Sequence, residues 1–163
     1  MPQEVDNPPQ VGKGKLGAIL GSAGAALLIT TVAFFEGKRN EPYQDIVGVW
    51  TVCYGETQGP MRRFSDAECE EKLATALVRY AEPVAACADL RGKPNQLVAA
   101  SSLAYNIGAG AFCKSTAARK FKAGDLRGGC TAMLRWNMAG GKVVRGLSNR
   151  RMKEYAICTR GLN

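Results

Sequence analysis

A chain of 163 residues, 46% hydrophobic and 22% charged, is one ordinary domain with room for an added segment, and it can bury a core without help from a metal or cofactor. Its composition excludes a disordered or collagen-like polymer, and its formal charge of +8 points to an anionic partner or to a solvated basic face. There is no histidine, which excludes Ser-His-Asp and Cys-His catalysis and any His-ligated zinc site, and leaves acid-base work to carboxylates or less often to Lys, Tyr or Cys.

In chain order, residues 1–15 read as a polar, unstructured tail with Pro8, Pro9, Gly12 and Gly14. Leu16–Phe35 follows, 20 residues without a charge. A helix of that length reaches across a bilayer core of about 30 Å. Eleven of the 20 are Gly, Ala, Ser or Thr, so insertion is only weakly favourable. Three readings fit: a permanent anchor, a signal peptide cleaved after Thr31-Val32-Ala33, and an anchor that later leaves the membrane intact. Glu36 to Asp45 contains Pro42 and reads as irregular. Ile46–Tyr54 is β-branched and aromatic around Gly48 and predicts a strand pair or hairpin, with Val47, Val49, Thr51 and Cys53 on one face.

The remainder reads as helices. Ser65-Asp66-Ala67-Glu68 is a capping box opening a helix to about Tyr80, with Cys69, Leu73 and Leu77 on one face. Pro94 starts another, whose stripe of Leu97, Ala100, Ala104 and Ile107 ends at Gly108. Shorter helices fit 114–122, 125–136 and 148–159. The predicted class is therefore α+β, a small β-sheet lobe and a larger helical lobe behind an N-terminal apolar helix.

Charge is unevenly spread. Residues 36–113 hold 8 Lys/Arg against 10 Asp/Glu, and residues 114–163 hold 12 against 2. No nucleic-acid motif accompanies the basic half, and no nucleic-acid partner is expected. The six cysteines, at 53, 69, 87, 113, 130 and 158, include no C-x-x-C pair. They do not fit a metal knuckle, no metal site or cofactor is expected, and beside an export signal they read as up to three disulfides.

Glycoside hydrolysis needs a proton for the leaving oxygen and a second group to stabilise or attack an oxocarbenium-like centre. Glu36 follows Phe34-Phe35 at the end of the apolar run, an environment that favours a protonated carboxyl if it packs there. Asp45 lies in a polar turn, and Thr51 is six residues on, where a hydroxyl can hold a water. The segment EGKRNEPYQDIVGVWTVCYGET, with Glu36, Asp45 and Thr51 at these spacings, resembles the catalytic segment of the phage lysozymes of glycoside hydrolase family 24. Tyr105-Asn106-Ile107-Gly108 through Phe112 resembles the family's helix-and-Gly segment, and Arg135-Trp136-Asn137 with Gly146-Leu147 and Arg150-Arg151 its C-terminal signature.

The resemblance implies a lysozyme-like fold over 36–163 and a muramidase cutting the β-1,4 bond between N-acetylmuramic acid and N-acetylglucosamine, and it favours inversion of configuration. It implies Glu36 as general acid, Asp45 as second carboxylate and Thr51 as the water-positioning residue. Tyr105, Asn106, Phe112, Ser115 and Arg135 are the implied substrate contacts. Each has a plain structural alternative: core packing for Tyr105, Phe112 and Trp136, helix capping for Asn106 and Ser115, an acidic partner for Arg135, and hairpin backbone for Gly48. The implied disulfides are Cys53–Cys69, Cys87–Cys113 and Cys130–Cys158.

The N-terminal run resembles the signal-anchor-release segment of one endolysin subgroup of lambdoid-type phages. That implies residues 16–35 in the host inner membrane with the N-terminus cytoplasmic and residues 36–163 periplasmic, then release as a monomer onto the peptidoglycan glycan strand for host lysis. With no cysteine before Cys53, release and refolding alone are expected to activate it. A lytic transglycosylase, a secreted lysozyme with a cleaved signal and a non-enzymatic, membrane-tethered wall-binding protein are the rival readings.

Overall fold

The computed structural model describes residues 9–163; the first eight residues of the expected tail lie outside the described residues. The apolar run is a helix, α1 (Val11–Glu36), which starts five residues before Leu16 and so includes part of the sequence read as tail. Leu16, Leu20, Leu28 and Val32 recur at multiples of four and are buried against α2 (Asp66–Cys87) and α3 (Pro94–Ile107). The helix breaks once, at Gly21 (φ 75°, ψ 162°), a conformation open to glycine and strained for other residues. It ends where Gly37 takes a positive φ of 69°.

A two-stranded antiparallel sheet follows directly, β1 (Arg39–Gln44) and β2 (Trp50–Cys53), with Tyr43 opposite Thr51 and Gln44 opposite Trp50. This corrects the sequence reading. The stretch around Pro42 is a strand, with a register shift between Arg39 and Tyr43, where a bulge accommodates the missing proline N–H. Ile46–Val49, read as strand from its β-branched side chains, is the exposed turn. Local hydrogen bonding from Asp45 and a positive φ of 82° at Gly48 outweigh strand propensity there. Val52, Cys53, Phe64 and Cys69 form a small core under this lobe.

The capping box at Ser65 forms as the sequence predicts: the Glu68 amide donates to Ser65 Oγ (3.1 Å) and the Ser65 amide to Glu68 Oε2 (2.7 Å). α2 continues past Tyr80 to Cys87 through Pro83. Proline forfeits one backbone bond, yet Val84 and Ala85 extend the buried face and the Cys87–Cys113 disulfide ties the end down. α3 opens at Pro94, and every residue from Gln96 to Ala104 is buried. One apolar stripe had been expected; instead the helix is enclosed on all sides, which small residues such as Ala99, Ala100, Ser101 and Ser102 permit.

The chain closes with α4 (Ala109–Cys113), α5 (Thr116–Lys122), α6 (Leu126–Met133), a two-residue hairpin β3 (Met138–Ala139) and β4 (Lys142–Val143), and α7 (Arg145–Cys158). That hairpin turns on Gly140 and Gly141, both at positive φ. Disulfides join Cys53 to Cys69, Cys87 to Cys113 and Cys130 to Cys158.

Candidate active site

Glu36 is the last residue of α1, and three consecutive side chains bind this end to α7. The Arg150 guanidinium donates to Glu36 Oε1 (3.0 Å) and lies over the Phe35 ring (4.5 Å), and the Lys153 ammonium lies over the Phe34 ring (3.8 Å). The expected apolar surround of Glu36 is therefore corrected. Its side chain is 28% exposed and ion-paired, because the α7 face nearest α1 carries arginine.

Arg150 is itself held from below. Its Nε faces Glu154 Oε1 (3.4 Å) and its Nη2 donates to the Ser102 carbonyl (3.4 Å). Arg151 donates through Nη2 to Glu154 (3.0 Å) and through Nη1 to Asn106 Oδ1 (3.0 Å) and the Trp136 carbonyl (3.1 Å). Ser102 Oγ donates to Glu154 (2.7 Å). Burial pushes the Glu154 carboxyl up from its usual range, and the facing Arg151 guanidinium and the Ser102 hydroxyl pull it back. Two guanidiniums and two carboxylates thus meet across α1, α3 and α7.

The short loop after Glu36 leads straight into the hairpin that carries the other two residues. Asp45 Oδ1 accepts from the amides of Val47 and Val49 (both 2.9 Å), and the Gly48 amide donates to the Asp45 carbonyl (3.0 Å). One carboxylate oxygen is thereby fixed to the turn, and no hydrogen bond engages the other among the described residues. Thr51 is 4% exposed, and its hydroxyl donates to the Val49 carbonyl (3.1 Å), which leaves its oxygen as an acceptor.

Tyr105, near the end of α3, sets its ring edge-on to Tyr80 (5.1 Å between centroids) and donates to the Tyr54 carbonyl at 3.5 Å. Its phenol is pushed up to about 12, first by burial and then by the Glu36 carboxylate. A hollow of about 190 Å³ opens beside it, lined among others by Tyr54, Glu56, Arg79 and Tyr80.

Asn106 is exposed and fixed by Arg151 rather than capping a helix. Two of the expected substrate contacts are buried. Phe112 is 0% exposed within the main core, so its ring presents no face to a ligand. Ser115 is 7% exposed and caps α5, accepting from the Ala118 amide and donating to the Phe112 carbonyl, so its hydroxyl is spent on the backbone. Arg135 is exposed and lines a hollow between α5 and α6 with Thr116, Lys120 and Arg127, which shares no residue with the hollow beside Tyr105.

Sequence reasoning missed Ser102 and Glu154, and gave Arg150 no contact. The arginines, Glu154, Ile157 and Cys158 lie on one face of α7, but charges at that spacing ordinarily mark a solvated face.

The family model described as phage lysozyme matches residues 33–154. The SAR-endolysin of Enterobacteria phage P21 is 39% identical over 162 residues, 94% of this chain and 98% of that protein. The SAR-endolysin of Escherichia phage Mu is 44% identical over 123 residues, 71% and 69% of the two chains. Among solved structures, the endolysin from Escherichia coli O157:H7 phage FAHEc1 aligns with a TM-score of 0.72 at 29% identity, covering 81% of this chain and 90% of that one. The active form of the P1 phage endolysin Lyz shares the fold (TM-score 0.71, 23% identity) over 94% and 96%. On the extent of these matches the chain belongs to the phage lysozyme family, and it is a glycoside hydrolase of the lysozyme class acting on peptidoglycan.

Proposed function

We propose that this endolysin cuts the β-1,4 bond between N-acetylmuramic acid and N-acetylglucosamine, with Glu36, Asp45 and Thr51 as its reacting set, and that residues 16–35 first hold the chain inactive in the host inner membrane. Glu36, protonated on the oxygen that Arg150 does not engage, gives its proton to the glycosidic oxygen as the bond to the anomeric carbon breaks. A water adds to that carbon and yields its proton to Asp45, and Thr51 accepts a hydrogen bond from the water. Exchange with solvent then restores both carboxyls. Tyr105 and Asn106, at the end of α3, are the residues best placed to meet the glycan.

One observation carries the coupling of activity to the membrane. Glu36 ends α1, and its bond to Arg150 exists because α1 lies along the helical lobe. A segment spanning a bilayer cannot also lie there, so Glu36 is out of place until the segment leaves. The same packing disfavours a cleaved signal. Cleavage after Ala33 would strip Leu16, Leu20, Leu28 and Val32 from the core, at about 1.5–3 kcal/mol per buried side chain. The domain division 1–15, 16–35 and 36–163 follows this proposal, with a monomeric released form.

Mass spectrometry of a digest of purified peptidoglycan tests the reaction. Hydrated reducing ends are expected, and anhydro ends would convert the reading to a lytic transglycosylase. Retained digestion by Glu36→Gln would remove Glu36 from its role.

A further inference from the structure

The N-terminal half of α1 is seated on α2 at a specific place. The Gly12 amide donates to the Glu71 carboxylate, the Lys13 amide donates to Glu71 Oε2 (3.2 Å), and Lys13 Nζ pairs with Glu70 Oε2 (2.9 Å). Two carboxylates thus face the positive end of the helix and its first lysine. The approach is close enough to exclude any side chain at position 12. A Cβ there would meet the Thr75 hydroxyl, and would lie 2.7 Å from the Thr75 backbone nitrogen and 2.8 Å from Glu71 Oε1. Leu16 and Leu20 are buried beyond this point, and then the chain bends at Gly21.

A bilayer span must satisfy every backbone group within the helix. The φ of 75° and ψ of 162° at Gly21 are incompatible with that, so a segment that both spans and docks changes conformation at this residue. Glu70 and Glu71 lie on α2, so in the tethered topology proposed above they stand across the bilayer from Gly12 and Lys13. We propose that Glu70, Glu71 and Thr75 form the receiving site for the released segment, with Gly12 as its point of closest approach and Gly21 as its bend. This rests on the tethered-then-released reading. It adds which residues capture the segment, and so make release one-way.

The neighbouring glycines supply the control. An alanine Cβ at Gly17 would meet nothing within 4 Å, and no positive φ constrains that residue. Gly12→Ala, Gly17→Ala and Gly21→Ala each add one methyl group to α1, the last two within residues 16–35 and the first just before them. Two measurements are made on each full-length chain: the share in the soluble pool after induction, and hydrogen exchange of residues 11–20 in the soluble form. Gly12→Ala and Gly21→Ala are expected to lower the soluble share, delay lysis and speed exchange about tenfold, while Gly17→Ala follows the unmodified chain. Glu71→Ala, which leaves the anchor untouched, is expected to speed exchange in the same way.

Equal effects of all three glycine variants would show that anchor strength alone governs release, and would overturn the receiving site while leaving the tethered reading intact. Unchanged exchange in Glu71→Ala would also overturn it. An intact soluble chain with no membrane pool at any time would instead remove the tethered reading, and the exchange data would then decide the seat by themselves. A soluble form lacking residues 11–20 would overturn both.

Discussion

Arg150 bonds Glu36, Glu154 and the Ser102 carbonyl while 7% exposed. Its removal leaves buried carboxylate short of a partner, a change that costs about 3 kcal/mol or more. Arg150→Met is therefore expected to lower the melting temperature by roughly 6–12 °C, which calorimetry checks, and to weaken wall digestion because Glu36 loses its orientation. Glu36→Gln behaves differently. The amide still accepts from Arg150, so melting is expected to shift little, while digestion falls by about 10²–10⁴, the usual worth of a general acid. A turbidity assay on permeabilised cells measures the fall. Glu36, Asp45 and Thr51, the proposed reacting set, come from their spacing and the family pattern. Glu154 and Ser102 were not legible, because buried charge on a helix face has the same spacing as solvated charge.

At the scale of elements, the capping box is the feature most fully written in the sequence. Ser65→Ala is expected to cost about 1 kcal/mol in chemical denaturation. Its partner Glu68 is held down at about 2 from an ordinary 4.5, first by the Arg62 guanidinium and then by the Ser65 amide. A carboxyl depressed by folding stabilises above its unfolded value and loses that contribution as pH falls through the folded one. The melting difference between the unmodified chain and Glu68→Gln is thus expected at neutral pH, to shrink below 4.5 and to vanish near 2. The hairpin was the opposite case. Propensity put a strand on Ile46–Val49, whereas the Asp45 side chain and Gly48 make that stretch a turn, and β1 runs through Pro42 because a bulge tolerates it. The start of α1 was misplaced for a related reason: Gly12 and Gly14 argue locally for a tail, and it is the tertiary contact with Glu71 that holds them in a helix.

For the whole molecule, the disulfides span separations of 16, 26 and 28 residues, each on the order of 3 kcal/mol by loop closure. Cys130→Ser with Cys158→Ser is expected to lower the melting temperature under oxidising conditions and to leave no difference from the unmodified chain once both are reduced. The two-lobed layout was legible because the capping box, Pro94 and the glycine stops mark helix limits locally. The docking of α1 was legible only through the resemblance to a signal-anchor-release segment, since by composition an apolar run of that length fits a bilayer and a protein core equally well. The central claim is that one segment does both in turn and carries Glu36 with it. The direct measurement is wall-digesting activity per molecule, with N-terminal sequencing, for the same chain isolated from the membrane and from the soluble fraction. The account predicts a full-length, inactive membrane pool and a full-length, active soluble pool. Equal activity in the two pools, or an active soluble chain that starts beyond Ala33, would contradict it.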